Sequence, residues 1–229
     1  MKNYYLILLT VLLSFGSLQA QGPITLDPIA LQARLDSIYN APGEGWVAGI
    51  VASVRYDNQH WEGSTGWAYI DSLPMTEDYH FRYYSATKSV TAAAVLEQVV
   101  QGNMDLDDHL GKYLTTITNP NIDTTVTLRQ LLTHQTGFPD YTYDDDVAFA
   151  VTMDGLNGEF TYDPLEVMNN EDYVDPPLFT PGTQRQYSST NYILLGLAME
   201  ALPGIDSIEQ HYRTTLLDPA GMSETAFYP

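Results

Sequence analysis

Phe81-Arg82-Tyr83-Tyr84-Ser85-Ala86-Thr87-Lys88 runs straight into Ser89-Val-Thr-Ala-Ala-Ala-Val-Leu-Glu-Gln-Val-Val-Gln101 and stops at Gly102. The second stretch is apolar on nearly every face and ends on a residue suited to a helix C-terminus, which predicts a buried central helix. Ser85 and Lys88 form a Ser-x-x-Lys motif at the start of that helix. Residues three apart share a helix face, with about 5–6 Å between their Cβ atoms, so the lysine amine reaches the serine hydroxyl. A serine hydroxyl at its free pKa is a poor nucleophile and needs a neighbouring base. Lys88 is a candidate for that base, and the unpaired N–H groups at the helix start favour developing negative charge. The four residues alone leave another reading open, with Ser85 a helix cap and Lys88 a first-turn surface residue.

Working toward the N-terminus, residues 46–69 read as a β-hairpin. Ile50, Ala52, Val54 and Tyr56 alternate on one face, Asp57-Asn58-Gln59 makes the turn, and His60 to Tyr69 returns. Residues 27–40 read as a short amphipathic helix with Leu31, Leu35 and Ile38 on one side. Before it, Lys2, an apolar run from Leu6 to Leu18 and the small residue Ala20 give the pattern of a secretory signal peptide over residues 1–20. That predicts a periplasmic or secreted protein, with residues 21–229 as the mature domain and no membrane association after cleavage. No cysteine is present, so no disulfide contributes and stability rests on the core.

The charge balance narrows the partners. With 29 Asp+Glu against 9 Lys+Arg, the net charge of −20 argues against nucleic acid and against anionic membrane surfaces. The acidic residues cluster at Asp105-Leu-Asp-Asp108, at Asp144-Asp-Asp146 and across Asp163 to Asp175, without an Asp-x-Asp-x-Asp-Gly loop, and read as solvated loops. The five histidines are scattered, with no His-Glu-x-x-His, so neither a metal nor any other cofactor is expected.

Toward the C-terminus, Leu106 to Leu114 suggests a short helix. Thr127-Leu-Arg-Gln130 is a capping box that opens another, with Gly137 as its stop. Residues 138–185, rich in Pro, Asp, Asn and Tyr, read as an irregular lobe or lid. Beyond Tyr187-Ser188-Ser189-Thr190-Asn191-Tyr192 a second apolar helix covers Ile193 to Met199.

Taken in order, Ser85-x-x-Lys88, Leu106-Asp-Asp108…Tyr113-Leu114, Thr127-Leu-Arg-Gln-Leu-Leu-Thr-His134-Gln-Thr-Gly137, Phe179-x-Pro-Gly182…Tyr187-Ser188 and Asn191-Tyr-Ile-Leu-Leu-Gly196 resemble the penicillin-recognising serine hydrolases. The branch concerned holds class C β-lactamases, serine DD-peptidases, D-aminopeptidases and related carboxylesterases. The resemblance runs from about Ile50 to the end. It implies an α/β (α+β) fold of the β-lactamase/transpeptidase type, an antiparallel sheet flanked by helices plus a helical lobe. It also implies that Ser85 is the acylated nucleophile, Lys88 its proton-handling partner and Tyr187 the tyrosine that passes a proton to the leaving group. As one of 17 tyrosines, Tyr187 has an ordinary reading too, a core aromatic with its hydroxyl bonded.

Two departures from the family's pattern stand out. The third position of its Tyr-x-Asn motif is here Ser189, the candidate substrate-binding residue, with one hydroxyl where an amide offers two donors and an acceptor. The family's late Lys-Thr-Gly or His-x-Gly strand does not occur before Pro229, which predicts a C-terminally truncated member with an incomplete sheet. A serine hydrolase acting on a small-molecule or peptide acyl donor (a D-peptide, β-lactam or ester) is the expected function. The alternative is a non-catalytic ligand-binding or penicillin-sensing protein on the same scaffold. An α/β-hydrolase triad is disfavoured, since Gly63-Ser-Thr-Gly66 lacks the Gly-x-Ser-x-Gly spacing.

Overall fold

The computed structural model describes residues 24–41, 47–143 and 163–226. The expected signal peptide and the stretch 144–162 of the expected lobe lie outside these residues. The chain divides into two compact units, Met1–Arg82 and Tyr83–Pro229. Together they hold helices and an antiparallel sheet, the mixed α/β class expected.

In the first unit, α1 (Pro28–Tyr39) begins at Asp27, whose carboxylate accepts the N–H groups of Ile29 and Ala30, with proline in the first turn. The hairpin follows as β1 (Gly49–Tyr56) and β2 (Gln59–Tyr69), paired antiparallel from Gly49 opposite Gly66 to Tyr56 opposite Gln59. Gln59 therefore belongs to the strand, and the turn is carried by Asp57 at φ +54° and Asn58. A two-residue strand β3 (Leu73–Pro74) pairs with β2, giving the sheet order β1-β2-β3. Helix α1, in which Leu35 is buried, packs on the hairpin, and the Gln32 amide donates to the Ser64 carbonyl at 3.0 Å.

The second unit carries the larger core. A 3-10 turn, Tyr84–Ala86, leads into α2 (Thr87–Val100). The helix closes with Gly102 at φ +79°, where the Asn103 N–H reaches the Gln98 carbonyl and the Gly102 N–H the Val99 carbonyl. This is the double bond of a left-handed helix terminus. Only one face of α2 is buried: Thr91, Ala94, Val95 and Gln98, at helical spacing. Leu96 and Val100 are exposed, so the helix is less enclosed than its apolar sequence predicts.

The capping box forms as expected. Thr127 accepts the Gln130 N–H and Gln130 returns to the Thr127 N–H, starting α3 (Leu128–Leu132). That helix ends five residues before Gly137. The helix expected over 106–114 is reduced to a 3-10 turn, Leu110–Lys112. Its would-be first turn is captured by side chains, with the Asp107 N–H on Asp105 and the Asp105 N–H on Asp108. The N–H groups of Leu110 and Gly111 go across to Val126 and Thr124. Short acidic side chains compete with the helix for backbone donors.

The described parts of the 138–185 segment are hydrogen-bonded to the rest of the unit. Helix α4 (Pro164–Asn169), capped by Asp163, buries Val167 and Met168, while the Asn119 and Asn121 amides donate to the carbonyls of Met168 and Val174. Helix α5 (Thr190–Glu200) buries Leu194, Leu195, Ala198 and Met199 against α2 and α3. A short α6 (Ile208–Tyr212) and a wider turn, Arg213–Leu217, complete the unit. Among the described residues no helix is long and apolar enough to cross a membrane.

Candidate active site

Four residues from two distant stretches of the second unit meet at the starts of α2 and α5. Ser85 sits in the 3-10 turn, exposed to solvent, and is not a helix cap. Its neighbour Tyr84 has φ +44°, a left-handed backbone uncommon for a residue with a side chain. Backbone of this kind is found more often at functional sites than elsewhere. Helical spacing brings Lys88 Nζ to 3.3 Å from Ser85 Oγ. The Tyr187 hydroxyl is closer, at 2.7 Å from the same oxygen. Tyr187 is not a core aromatic, being 45% exposed. Lys88 Nζ also lies 4.9 Å from the centre of the Tyr187 ring.

The surroundings lower the pKa of the Tyr187 phenol. Burial of the Tyr187 hydroxyl would raise its pKa, but hydrogen bonding to Lys88 and Ser85 and the lysine's charge outweigh it and hold the group below its ordinary value of 10.0. Tyr187 is the nearer of the two groups to Ser85 Oγ, and Lys88 lies within reach of both.

Tyr187 is held by His134. The His134 carbonyl accepts the Gln186 N–H at 3.0 Å and its Nδ1 accepts the Ser188 N–H at 3.2 Å, gripping the backbone on both sides of the tyrosine. The two rings meet at a tilt of 35° with centroids 4.8 Å apart. Accepting at Nδ1 places the imidazole proton on Nε2. Burial, with the charges of Lys88 and Arg185, pulls the His134 pKa below 6.5 and keeps the ring neutral. This turn has φ +58° at His134 and φ +83° at Gly137. At Gly137 a Cβ would stand 2.3 Å from the Phe179 carbonyl oxygen, so glycine lets the 134–137 and 178–187 segments run side by side.

Ser189 is where its sequence position suggests, beside the lysine, but its hydroxyl is occupied. Its Oγ lies 3.3 Å from Lys88 Nζ and 3.0 Å from Asp140 Oδ2, and that carboxylate oxygen also accepts the Ser189 N–H at 2.9 Å. Asn191, two residues on, is buried and faces Thr136 and His134 instead. Asp140 and His134 are the site residues that motif reading missed. His134 stands inside a quoted motif, whereas Asp140 carries no local signal and meets Ser189 across 49 residues of sequence.

Among the described residues no group of three or more His, Asp or Glu side chains is gathered as a metal set would be. The acidic cluster 105–108 is committed elsewhere, with Asp107 paired to Arg129 and Asp108 to Lys112 and Tyr113.

Comparison with known proteins bears on the family and the fold. The family described as Beta-lactamase matches residues 32–229. The chain is 28% identical over 158 residues to penicillin-binding protein 4* of Bacillus subtilis (strain 168), covering 69% of this chain and 33% of that protein. It is 28% identical over 223 residues to the esterase EstB of Burkholderia gladioli, covering 89% and 53% respectively. The crystal structure of a D-stereospecific amidohydrolase from Streptomyces sp. superposes with a TM-score of 0.70 at 28% identity, over 86% of this chain and 55% of that one. The chain spans between a third and about half of the length of these curated relatives.

Proposed function

Because this chain belongs to the Beta-lactamase family, we propose that it is a serine hydrolase acting through an acyl-enzyme on Ser85. The observation that carries the reading is the contact of Ser85 Oγ with Tyr187 at 2.7 Å and with Lys88 at 3.3 Å, in an exposed turn at the head of α2. Ionised Tyr187 takes the Ser85 proton as Oγ bonds to the acyl carbon. The phenol then gives that proton to the departing alcohol or amine. Water, activated by the same phenolate, cleaves the ester and restores Ser85. Lys88, 3.3 Å from Ser85 Oγ and 4.9 Å from the centre of the Tyr187 ring, stands beside both groups that exchange the proton. The substrate is a small-molecule or peptide acyl donor, met outside the cytoplasm if the first 20 residues direct export.

The relatives' names (a penicillin-binding protein, an esterase and a D-stereospecific amidohydrolase) set the substrate panel: a fluorescent penicillin, a p-nitrophenyl ester and a D-amino acid amide. Covalent labelling of Ser85, located by peptide mapping and lost in Ser85→Ala, is the expected result. Labelling that persists in Ser85→Ala would overturn the reading. One observation favours a second reading, a ligand-binding or penicillin-sensing protein that acylates without turnover. The Ser189 hydroxyl proton is committed to Asp140, so the position where the family pattern has an amide offers little to a substrate amide. A single burst of product followed by none would mark the sensor, and sustained release the hydrolase.

A further inference from the structure

Serine at the start of a helix ordinarily accepts an N–H from the helix's own first turn. Ser189 is the cap residue of α5 and makes no such bond. Its hydroxyl turns away to Asp140 Oδ2 at 3.0 Å and to Lys88 Nζ at 3.3 Å. The direction of both bonds is fixed by chemistry. A carboxylate can only accept and an ammonium can only donate, so the one Ser189 proton goes to Asp140 and an oxygen lone pair receives Lys88.

Asp140 is buried. Its contacts are all neutral: the Ser189 N–H and hydroxyl on Oδ2, and the Thr142 N–H and hydroxyl on Oδ1 at 3.1 and 2.8 Å. Among the described residues no lysine, arginine or histidine forms an ion pair with it. Buried charges are held by paired charges. The cation one hydroxyl away is Lys88.

We propose that Asp140 is a positioning residue of this site, acting through the Ser189 hydroxyl to hold Lys88 against Ser85. Ser189 then orients the lysine rather than the substrate. The inference rests on the hydrolase reading and deepens it. An asparagine at 140 can present its NH2 to Ser189 Oγ and turn the hydroxyl proton toward Lys88, where two donors face each other.

The test is the rate at which Ser85 is acylated by a p-nitrophenyl ester or a fluorophosphonate in the full-length protein, with thermal unfolding of each variant alongside. Asp140→Asn and Ser189→Ala should each slow acylation about 10- to 100-fold, the worth of a hydrogen bond to a charged group. Ser189→Thr, which keeps the hydroxyl, should recover most of that loss. Asp140→Asn added to Ser189→Ala should slow acylation no further, because the link between the two is already gone. Full additional loss in the double variant would mean that Asp140 acts only through the backbone of residues 142 and 189, and would overturn the proposal. So would normal acylation of Ser189→Ala. Should Asp140→Asn fail to fold, equal rates for Ser189→Ala and Ser189→Thr would overturn it alone. Ser85→Ala separates the two levels. If labelling vanishes there but is untouched in Asp140→Asn, only the positioning role falls; if it persists there, the hydrolase reading falls and takes this one with it.

Discussion

The Tyr187 hydroxyl stands 2.7 Å from Ser85 Oγ, nearer than Lys88 Nζ at 3.3 Å, although the lysine is a helical neighbour of the serine and the tyrosine is 102 residues away. The contact made across the fold is thus shorter than the one made by the residue adjacent in sequence.

Tyr187→Phe and Lys88→Met are each expected to slow acylation by about 10²–10⁴, the usual worth of positioned proton transfer. The double variant should fall far short of the product of the two losses, since both act on one proton. Stopped-flow acylation rates, read with unfolding curves, check this. Fully multiplicative losses would show that the two residues act independently.

The proposed mechanism uses the ionised phenol, so the acylation rate should rise with pH along a limb set by Tyr187, at a pH below the ordinary phenol value of 10.0. Lys88→Met removes the hydrogen bond and the charge that lower the phenol, so the limb should move to higher pH. A limb that stays in place in that variant would assign it to another group.

His134 contributes a pH-dependent part of the stability. Its folded-state pKa is lowered from 6.5, so the unfolded chain binds the proton more readily. The stabilisation is complete above about pH 6.5 and is lost as pH falls from there through the folded value. His134→Asn keeps a residue tolerant of φ +58° but removes the titration. Urea unfolding between pH 8 and pH 5 should show the wild-type chain losing more stability than this variant over that interval.

Two glycines in the left-handed region should respond differently to alanine. At Gly102 a Cβ meets nothing within 4 Å, so Gly102→Ala should cost only the backbone preference, about 1–2 kcal/mol. At Gly137 the same backbone cost is joined by a contact of 2.3 Å to the Phe179 carbonyl. Gly137→Ala should therefore destabilise by clearly more than Gly102→Ala, and should also slow Ser85 labelling by shifting the segment that carries Tyr187. Denaturant midpoints of the two variants decide it.

At Tyr84, φ +44° on an exposed side chain predicts that glycine is tolerated and a β-branched residue is not. Tyr84→Gly should be as stable as the wild type or slightly more so, and Tyr84→Val less stable by about 1–2 kcal/mol. Thermal unfolding distinguishes them.

Features carried by residues close in the chain were legible in the sequence, because periodicity, capping and turn chemistry are short-range. The Asp57-Asn58 hairpin, the Thr127–Gln130 capping box and the Ser85–Lys88 pair are of this kind. Where local rules competed, they misled. Leu106 to Leu114 has a helical apolar pattern, yet Asp105 and Asp108 take its backbone donors, and the exposed Leu96 and Val100 show that an apolar helix need not be enclosed. The family pattern already named Tyr187 with Ser85, but only the tertiary structure decided that its hydroxyl lies nearer Ser85 Oγ than Lys88 does, that His134 grips the chain on both sides of Tyr187, and that Ser189 faces Asp140 instead of capping its own helix. Those contacts span 49 to 102 residues and follow from how α2, α3 and α5 pack around one core, which no local spacing encodes.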